Sequence, residues 1–368
     1  MKVPFFNYKR LYLDNSSSLI EIFKNTARKG KFILQDDLKT LEKSLSEKFN
    51  CYTVGVNNAT DALQLLLKAS NLKKNSEILI SSHTMIATAS AVKFANCTPV
   101  AVDIGLDHLM SIDDIKKKIT NKTSVIMPTQ LNGRICDMDK IKYIAKKNNL
   151  LIIEDSAQAL GAKYKNQFAG TFGVGGCISF YPAKTLGCLG DGGLVITKYK
   201  KIYNLILQMR DHGRKNSAKV HLWGYNTRLD NIQAAFLNFF LKKYDKSIKI
   251  RRKLAKLYND NLKFIKEIDL PPEPIKDGIN FDIFQNYELR VKNRDNLKKY
   301  LNKNGVGTLI QWGGFALQDF KKLGFKKEKN FTEKVMKSSL MLPMNQFLKE
   351  KDVNYVCNLI KKFYDKRS

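Results

Sequence analysis

A lysine set among glycines is the residue of this chain best placed to do chemistry. Lys184 follows the segment Ser179-Phe180-Tyr181-Pro182-Ala183 and precedes Gly187, Gly190 and the pair Gly192-Gly193. A solvated surface charge does not need such surroundings, whereas a lysine held against a bound molecule needs backbone that can approach closely. Twenty-nine residues upstream, the apolar run Leu150-Leu151-Ile152-Ile153 ends in Glu154-Asp155, with Gln158 one helical turn beyond. Ligands of open α/β sheets sit past the carboxyl ends of the strands, which is where Asp155 falls. A carboxylate, an amine and a small hydroxyl together suggest pyridoxal 5'-phosphate (PLP). That cofactor is an electron sink only while its pyridine nitrogen stays protonated, and a buried carboxylate favours the charged form. The amine must be partly neutral to attack the cofactor's aldehyde, and desolvation or neighbouring positive charge depresses a lysine pKa enough to allow it. Lys184 is therefore expected to be catalytic, first as the covalent anchor and then as a proton shuttle, with Asp155 at the ring nitrogen.

A phosphate needs fixed donors. Asn58-Ala59-Thr60-Asp61 follows a strand-like segment and opens a helix, so its amides lie unpaired at the positive end of the helix dipole. The Thr60 and Ser179 hydroxyls add to that set. Asn58 or Thr60 could equally serve as a plain helix cap, a role compatible with phosphate binding.

These residues must be positioned by a scaffold, and the first half of the chain reads as a parallel sheet covered by helices. Candidate strands are Thr53–Val56, Glu77–Ile80, Pro99–Val102, Ser124–Met127, Leu150–Ile153, Cys177–Phe180 and Leu194–Thr197. Helical spacing recurs after Thr60 (Ala62, Leu65, Leu66, Ala69) and after Gly133 (Asp137, Ile141, Ile144, Ala145). From Asn231 through Tyr258 the pattern becomes one long helical stretch, and Pro271-Pro272-Glu273-Pro274 then breaks the chain. Beyond lie a strand (Tyr287–Val291), a helix (Arg294–Asn304), a strand (Thr308–Trp312) and a terminal helix (Lys351–Tyr364). The expected fold is α/β: a large PLP-binding domain over residues 1–245 and a smaller α+β domain over 246–368.

Composition sets the outer limits. A chain of 368 residues with 43% apolar content can bury a large core. No apolar run approaches the roughly 20 residues that span a bilayer, and the first residues lack a signal-peptide pattern, so a cytoplasmic location is expected. The six cysteines are scattered without a Cys-x-x-Cys pair, and the four histidines (83, 108, 212, 221) show no metal-ligand spacing. No metal is expected. The net charge of +30 fits either attraction to polyanions or a lysine-rich solvated surface. The basic residues are spread along the chain as pairs such as Lys73-Lys74 and Lys361-Lys362, with no long block, which favours the solvated surface over a nucleic-acid role.

Seven motifs, in order, resemble the DegT–DnrJ–StrS family of PLP-dependent nucleotide-sugar aminotransferases of fold type I. They are Asn-Ala-Thr-Asp-Ala-Leu (58–63), Ser-His-Thr-Met-Ile-Ala-Thr (82–88), Glu-Asp-Ser-Ala-Gln-Ala-Leu-Gly-Ala (154–162), Ser-Phe-Tyr-Pro-Ala-Lys (179–184), Gly-Asp-Gly-Gly (190–193), Arg-Asp-His-Gly-Arg (210–214) and Gly-Tyr-Asn-Thr-Arg-Leu-Asp-Asn-Ile-Gln-Ala-Ala (224–235). The similarity runs from about residue 30 to residue 365. It implies that Lys184 is the Schiff-base lysine and Asp155 the pyridinium partner. Gln158 would lie by the ring and its phenolic oxygen, and Ala59, Thr60 and Ser179 would hold the phosphate. Asn226 would reach the phosphate from the neighbouring subunit, so a homodimer would share its two active sites. Two departures stand out. Met85 occupies the place where relatives often stack an aromatic ring on the cofactor; a thioether can make a softer contact there, and His83 could supply part of the packing. Gln130 stands where relatives usually carry histidine, so no acid–base role passes to it.

The reaction implied is a two-stage exchange in which L-glutamate donates its amino group to the cofactor and a nucleotide-linked keto sugar then accepts it. The product would be an amino sugar of the kind used in surface polysaccharides. Arg210, His212 and Arg214 could pair with the substrate's pyrophosphate or form a solvated turn, and Trp312 could line the sugar pocket or pack in the core. The motifs are compatible with amination at C3 or C4 and with dTDP, UDP or GDP carriers. Two other readings are open: a sugar dehydratase, in which relatives typically replace the lysine by histidine, and a nucleic-acid-binding regulator on the same fold. The presence of Lys184 weighs against the first, and the lack of a helix-turn-helix module weighs against the second.

Overall fold

The computed structural model describes residues 1–215, 218–275 and 278–365. The large sheet uses β1 (Tyr52–Val56), β2 (Glu77–Ser81), β3 (Thr98–Val102), β4 (Thr123–Met127) and β5 (Leu151–Asp155). After a two-residue hairpin, β6 (Lys163–Tyr164) and β7 (Gln167–Phe168), the chain returns to the sheet as β8 (Gly175–Ser179) and β9 (Gly193–Thr197). The spatial order is β1-β9-β8-β5-β4-β2-β3. The run from β3 to β8 is parallel, and β9 alone is antiparallel to both of its neighbours. All seven strands expected from the sequence are present, each within two residues of its expected start.

Successive strand residues feed opposite faces. Ile78, Ile80, Val125, Met127 and Ile153 pack under the helix Ala59–Ala69, while Leu79, Ile126 and Ile152 join a second cluster with Leu38, Leu41, Leu45 and Ile141. A sheet covered on both faces needs apolar residues at consecutive positions, which is why these strands read as unbroken apolar runs.

The remaining strands are β10 (Ile268–Asp269), β11 (Asn280–Phe281), β12 (Tyr287–Val291) and β13 (Ser339–Leu342). An antiparallel sheet, β10-β12-β13, packs with the helices Tyr244–Leu262, Arg294–Lys303 and Glu350–Asp365 around a separate apolar cluster. Val3 joins that cluster and bridges to Val306. β11 pairs instead with β6 of the hairpin.

Two expectations fail. The stretch Asn231–Tyr258 is not one helix: it divides into Asn231–Leu241 and Tyr244–Leu262. The first piece buries Ala234 and Leu237 beside the large sheet, whereas the second sends Leu254, Ala255 and Tyr258 into the other cluster, so one straight axis does not serve both. Thr308–Trp312 is not a strand. Only Leu309 bridges, to Met341, and Gln311–Gly314 coils into a 3-10 turn with Trp312 and Gly313 at φ of 52° and 68°. The helices Tyr8–Leu13, Ser16–Lys29 and Asp36–Phe49 and the strand β13 go beyond the sequence expectation.

Candidate active site

The antiparallel turn of β9 builds the site. Because β8 and β9 run in opposite directions, the loop between them leaves and re-enters the sheet at the same edge, the carboxyl edge of the parallel strands. Lys184 rides on that loop. Register aligns the rest: Gly193 pairs with Val56 on one side and Ser179 on the other, while Asp155 pairs with Cys177 on β8. The start of the helix Ala59–Ala69, Ser179, Lys184 and Asp155 thus converge on one cavity of about 450 Å³.

The Lys184 stem is partly exposed, but its amine is deep enough that burial lowers its pKa, with Asp155 and then Cys177 pulling the other way. The backbone around it is clamped. Gln285 accepts from Thr185 N–H at 2.8 Å and donates to the Ala183 carbonyl at 2.8 Å, bracketing the lysine on both sides. Asp155 is buried and accepts from Thr88 Oγ1 at 2.6 Å and from Ala157 N–H at 3.2 Å. Thr88 is in hydrogen-bond contact with Thr84, which accepts from Thr129, so a row of hydroxyls backs the carboxylate. Glu154, its neighbour, faces the opposite side of the sheet and is consumed structurally. It accepts from the amides of Gly170 and Phe172 and from Gln130 Nε2. Gln130 spends its other end accepting from Cys136 N–H, so it is a support for Glu154 rather than an acid–base group.

Asn58 caps the helix Ala59–Ala69: its Oδ1 accepts from Asp61 N–H at 2.8 Å. The first intrahelical bond runs from Ala62 N–H to Asn58, leaving the amides of Ala59 and Thr60 ahead of it at the cavity. This close seat needs Gly193, where a Cβ would strike the Asn58 carbonyl and the Ala59 nitrogen. Gly193→Ala is therefore expected to cost roughly 1–3 kcal/mol of stability by overpacking and to weaken phosphate retention. Denaturant melts and cofactor titration measure the two effects.

The cavity also receives Met85, Gln158 and Trp312, as expected from the sequence. Met85, half exposed, offers its thioether to the cavity. His83 does not share that role: it is fully buried and lies outside the cavity, beside Glu288. The histidines do cluster in space, contrary to their sequence spacing, since His83, His108 and Glu288 bring ligand-type atoms within 4.8 Å of one another. Gln311 and Trp312 line the cavity with buried polar atoms that have no partner among the described residues.

Four expected residues lie off this cavity. Arg210 is buried, and its guanidinium pairs with Glu42 at 2.5 Å and donates to the Gly55 carbonyl at 2.9 Å. It braces β1 and does not reach a pyrophosphate in the cleft. His212 and Arg214 follow in an arm closed by the bridges Asp211–Asn226 and Arg214–Val220, and Asn226 is exposed there. Sequence reasoning missed Thr84, Thr88, Gln285 and Asn286. Thr84 and Thr88 lay in a quoted motif whose role in backing Asp155 only the fold reveals.

A buried amine near a carboxylate, with an open helix start and the Ser179 hydroxyl on the same cavity, fits PLP. Its fold and site place this chain among the PLP-dependent aminotransferases. Residues 14–361 match the DegT/DnrJ/EryC1/StrS aminotransferase family, and the chain belongs to it. It is similar to a protein of Geobacillus stearothermophilus named pleiotropic regulatory protein, 33% identical with 99% of each chain covered. It is also similar to the dTDP-3-amino-3,4,6-trideoxy-alpha-D-glucose transaminase of Streptomyces venezuelae, 32% identical over 84% of this chain and 82% of the relative. Among solved structures, S. venezuelae DesV in complex with a ketimine intermediate superposes with a TM-score of 0.93 at 28% identity, covering 98% of each chain.

Proposed function

We propose that this enzyme transfers an amino group from L-glutamate to a keto-6-deoxy sugar carried on dTDP or UDP, yielding an amino sugar for surface polysaccharides such as lipopolysaccharide O-antigen. One observation carries the reading: the Lys184 amine, the Asp155 carboxylate and the open amides of Ala59 and Thr60 face a single cavity. Bound there, PLP supplies an electron sink and carries the amino group between two substrates. Ala59, Thr60 and Ser179 hold its phosphate, Asp155 its ring nitrogen, and Met85 and Gln158 its ring. Lys184 anchors the aldehyde and, once displaced, takes up and returns a proton at Nζ. Burial favours that work by keeping a share of the amine neutral. The unpartnered amide of Gln311 and indole N–H of Trp312 suit sugar hydroxyls.

Lys184 is the one cation among the described residues lining the cavity, so a substrate pyrophosphate draws its counter-charge from outside it. We place that charge on Arg214 of a second copy, with His212 beside it as a polar contact, and Asn226 of that copy reaches the phosphate in a homodimer with shared sites. The exposed Asn226, off its own cavity, supports this. Mixing inactive Lys184→Ala with inactive Asn226→Asp subunits would then restore roughly a quarter of wild-type activity, because half the dimers regain one intact site of two. No recovery after subunit exchange would contradict sharing.

We also keep the division near residue 245, into a cofactor-binding unit (1–245) and a smaller one (246–368); the apolar clusters separate between Ile248 and Leu254. Among the described residues no helix is long and apolar enough to cross a membrane. With all six cysteines free, we place the enzyme in the reducing cytoplasm. The test of function is incubation with PLP, L-glutamate and a panel of nucleotide keto sugars, followed by mass detection. An amine in place of one ketone is expected; conversion of none, with cofactor bound, would refute the substrate class.

A further inference from the structure

Glu288 sits on β12, outside the cavity, and its carboxylate is fully buried. No lysine or arginine pairs with it among the described residues. Its partners are two histidines and an amide. His108 Nδ1 lies 2.9 Å and Asn132 Nδ2 3.0 Å from Oε2, and His83 Nε2 lies 3.5 Å from Oε1. Burial alone would push the carboxyl up, but His83, His108 and the nearby Arg134 outweigh it and hold Glu288 below the usual carboxylate range. Oε2 is engaged twice, by His108 and Asn132, while Oε1 and the His83 ring nitrogens face one another without a hydrogen bond.

Asn132 carries the cluster's influence into the cleft. It adopts the left-handed region, with φ of 58°, and both ends of its side chain and its N–H are assigned. Nδ2 donates to Glu288, Oδ1 accepts from Asn286 Nδ2 at 2.8 Å, and the backbone N–H donates to Gln158 Oε1 at 2.8 Å. Gln158 and Asn286 both line the cavity. An amide's two ends are told apart only by their partners. With Oε1 occupied by the Asn132 N–H, Gln158 has its N–H donor left for the cavity.

We propose that Glu288 is a positioning residue: acting through Asn132, it fixes Gln158 with its amide N–H turned toward the cofactor ring. Burying a carboxylate with no lysine or arginine in direct contact is costly, and this role accounts for its place. It also couples β12 to the loop after β4, across the two sides of the cleft.

The inference rests on the cofactor assignment, and the test separates the two. Full-length wild type, Glu288→Ala, Asn132→Gly and Glu288→Gln are loaded with PLP, and the visible chromophore is followed against pH alongside cofactor release and thermal melting. Glycine suits the left-handed backbone at position 132, so that variant keeps the fold if Glu288→Ala loses it. A donor at the ring oxygen drains negative charge that would otherwise retain the linkage proton. Its loss in Glu288→Ala and Asn132→Gly is expected to raise the chromophore's midpoint by about one unit and speed PLP release about tenfold. Glu288→Gln keeps an acceptor for Asn132 and is expected to stay near wild type. Lower melting temperatures with unmoved midpoints would overturn the inference, leaving Glu288 a packing group. So would a Glu288→Gln midpoint shifted as far as that of Glu288→Ala. A wild type without a Lys184-dependent chromophore would instead remove the cofactor reading, and the inference with it.

Discussion

Lys184→Ala is expected to leave a folded protein that has lost both its yellow colour and its transamination. Removing a positioned proton-transfer group alone costs about 10²- to 10⁴-fold, and the same side chain is proposed as the covalent anchor too, so a loss of about 10⁴-fold or more is expected. The fold should survive. The lysine backbone is held by Gln285 through its neighbours Ala183 and Thr185, not through the amine, and deleting a desolvated amine removes an unfavourable burial. Rate assays, absorbance and a thermal melt on one sample distinguish this from general unfolding. A variant that keeps its colour and more than about a tenth of its rate would place the chemistry elsewhere.

Asp155→Asn is the second large effect. The amide keeps the shape and can still accept from Thr88 Oγ1, but it no longer offers negative charge to the ring nitrogen. The protonated ring is then disfavoured and the electron sink weakened. A fall in kcat of about 10²- to 10³-fold is expected, the scale seen when one preorganised electrostatic partner is lost. The KM for the nucleotide sugar should change little, because the proposed role of Asp155 is at the cofactor ring rather than at the sugar. Thr88→Val, which removes only one hydrogen bond to the carboxylate, should cost about tenfold or less. A kcat for Asp155→Asn within threefold of wild type would show that this carboxylate does not face the ring.

Much of this site could be read directly from the sequence because its parts fall at strand ends. Asp155 ends β5, Ser179 ends β8, and Asn58 opens the helix after β1, so an α/β pattern already places them on one edge. What the pattern could not show was the pairing of distant segments. Gln285 clamps the lysine loop from a hundred residues away, and nothing in its local sequence distinguishes it from a surface glutamine. Arg210 misled for the same reason: its motif is chemically suggestive, but Glu42 and the Gly55 carbonyl claim its guanidinium. His83 and His108 lie 25 positions apart, and only the fold brings them to Glu288. The failed strand at Thr308–Trp312 has a local cause: apolar content favours extension, yet the left-handed Trp312 and the glycines after it coil the chain into the cavity wall.

Reduction of the PLP-loaded protein with borohydride, followed by proteolysis and peptide mass mapping, would reveal which amine carries the cofactor. The pyridoxyl mass should appear on the peptide containing Lys184 and on no other, at one label per chain. A label on a different lysine, or none on a chain that nonetheless aminates sugars, would contradict the assignment of Lys184 as the anchor.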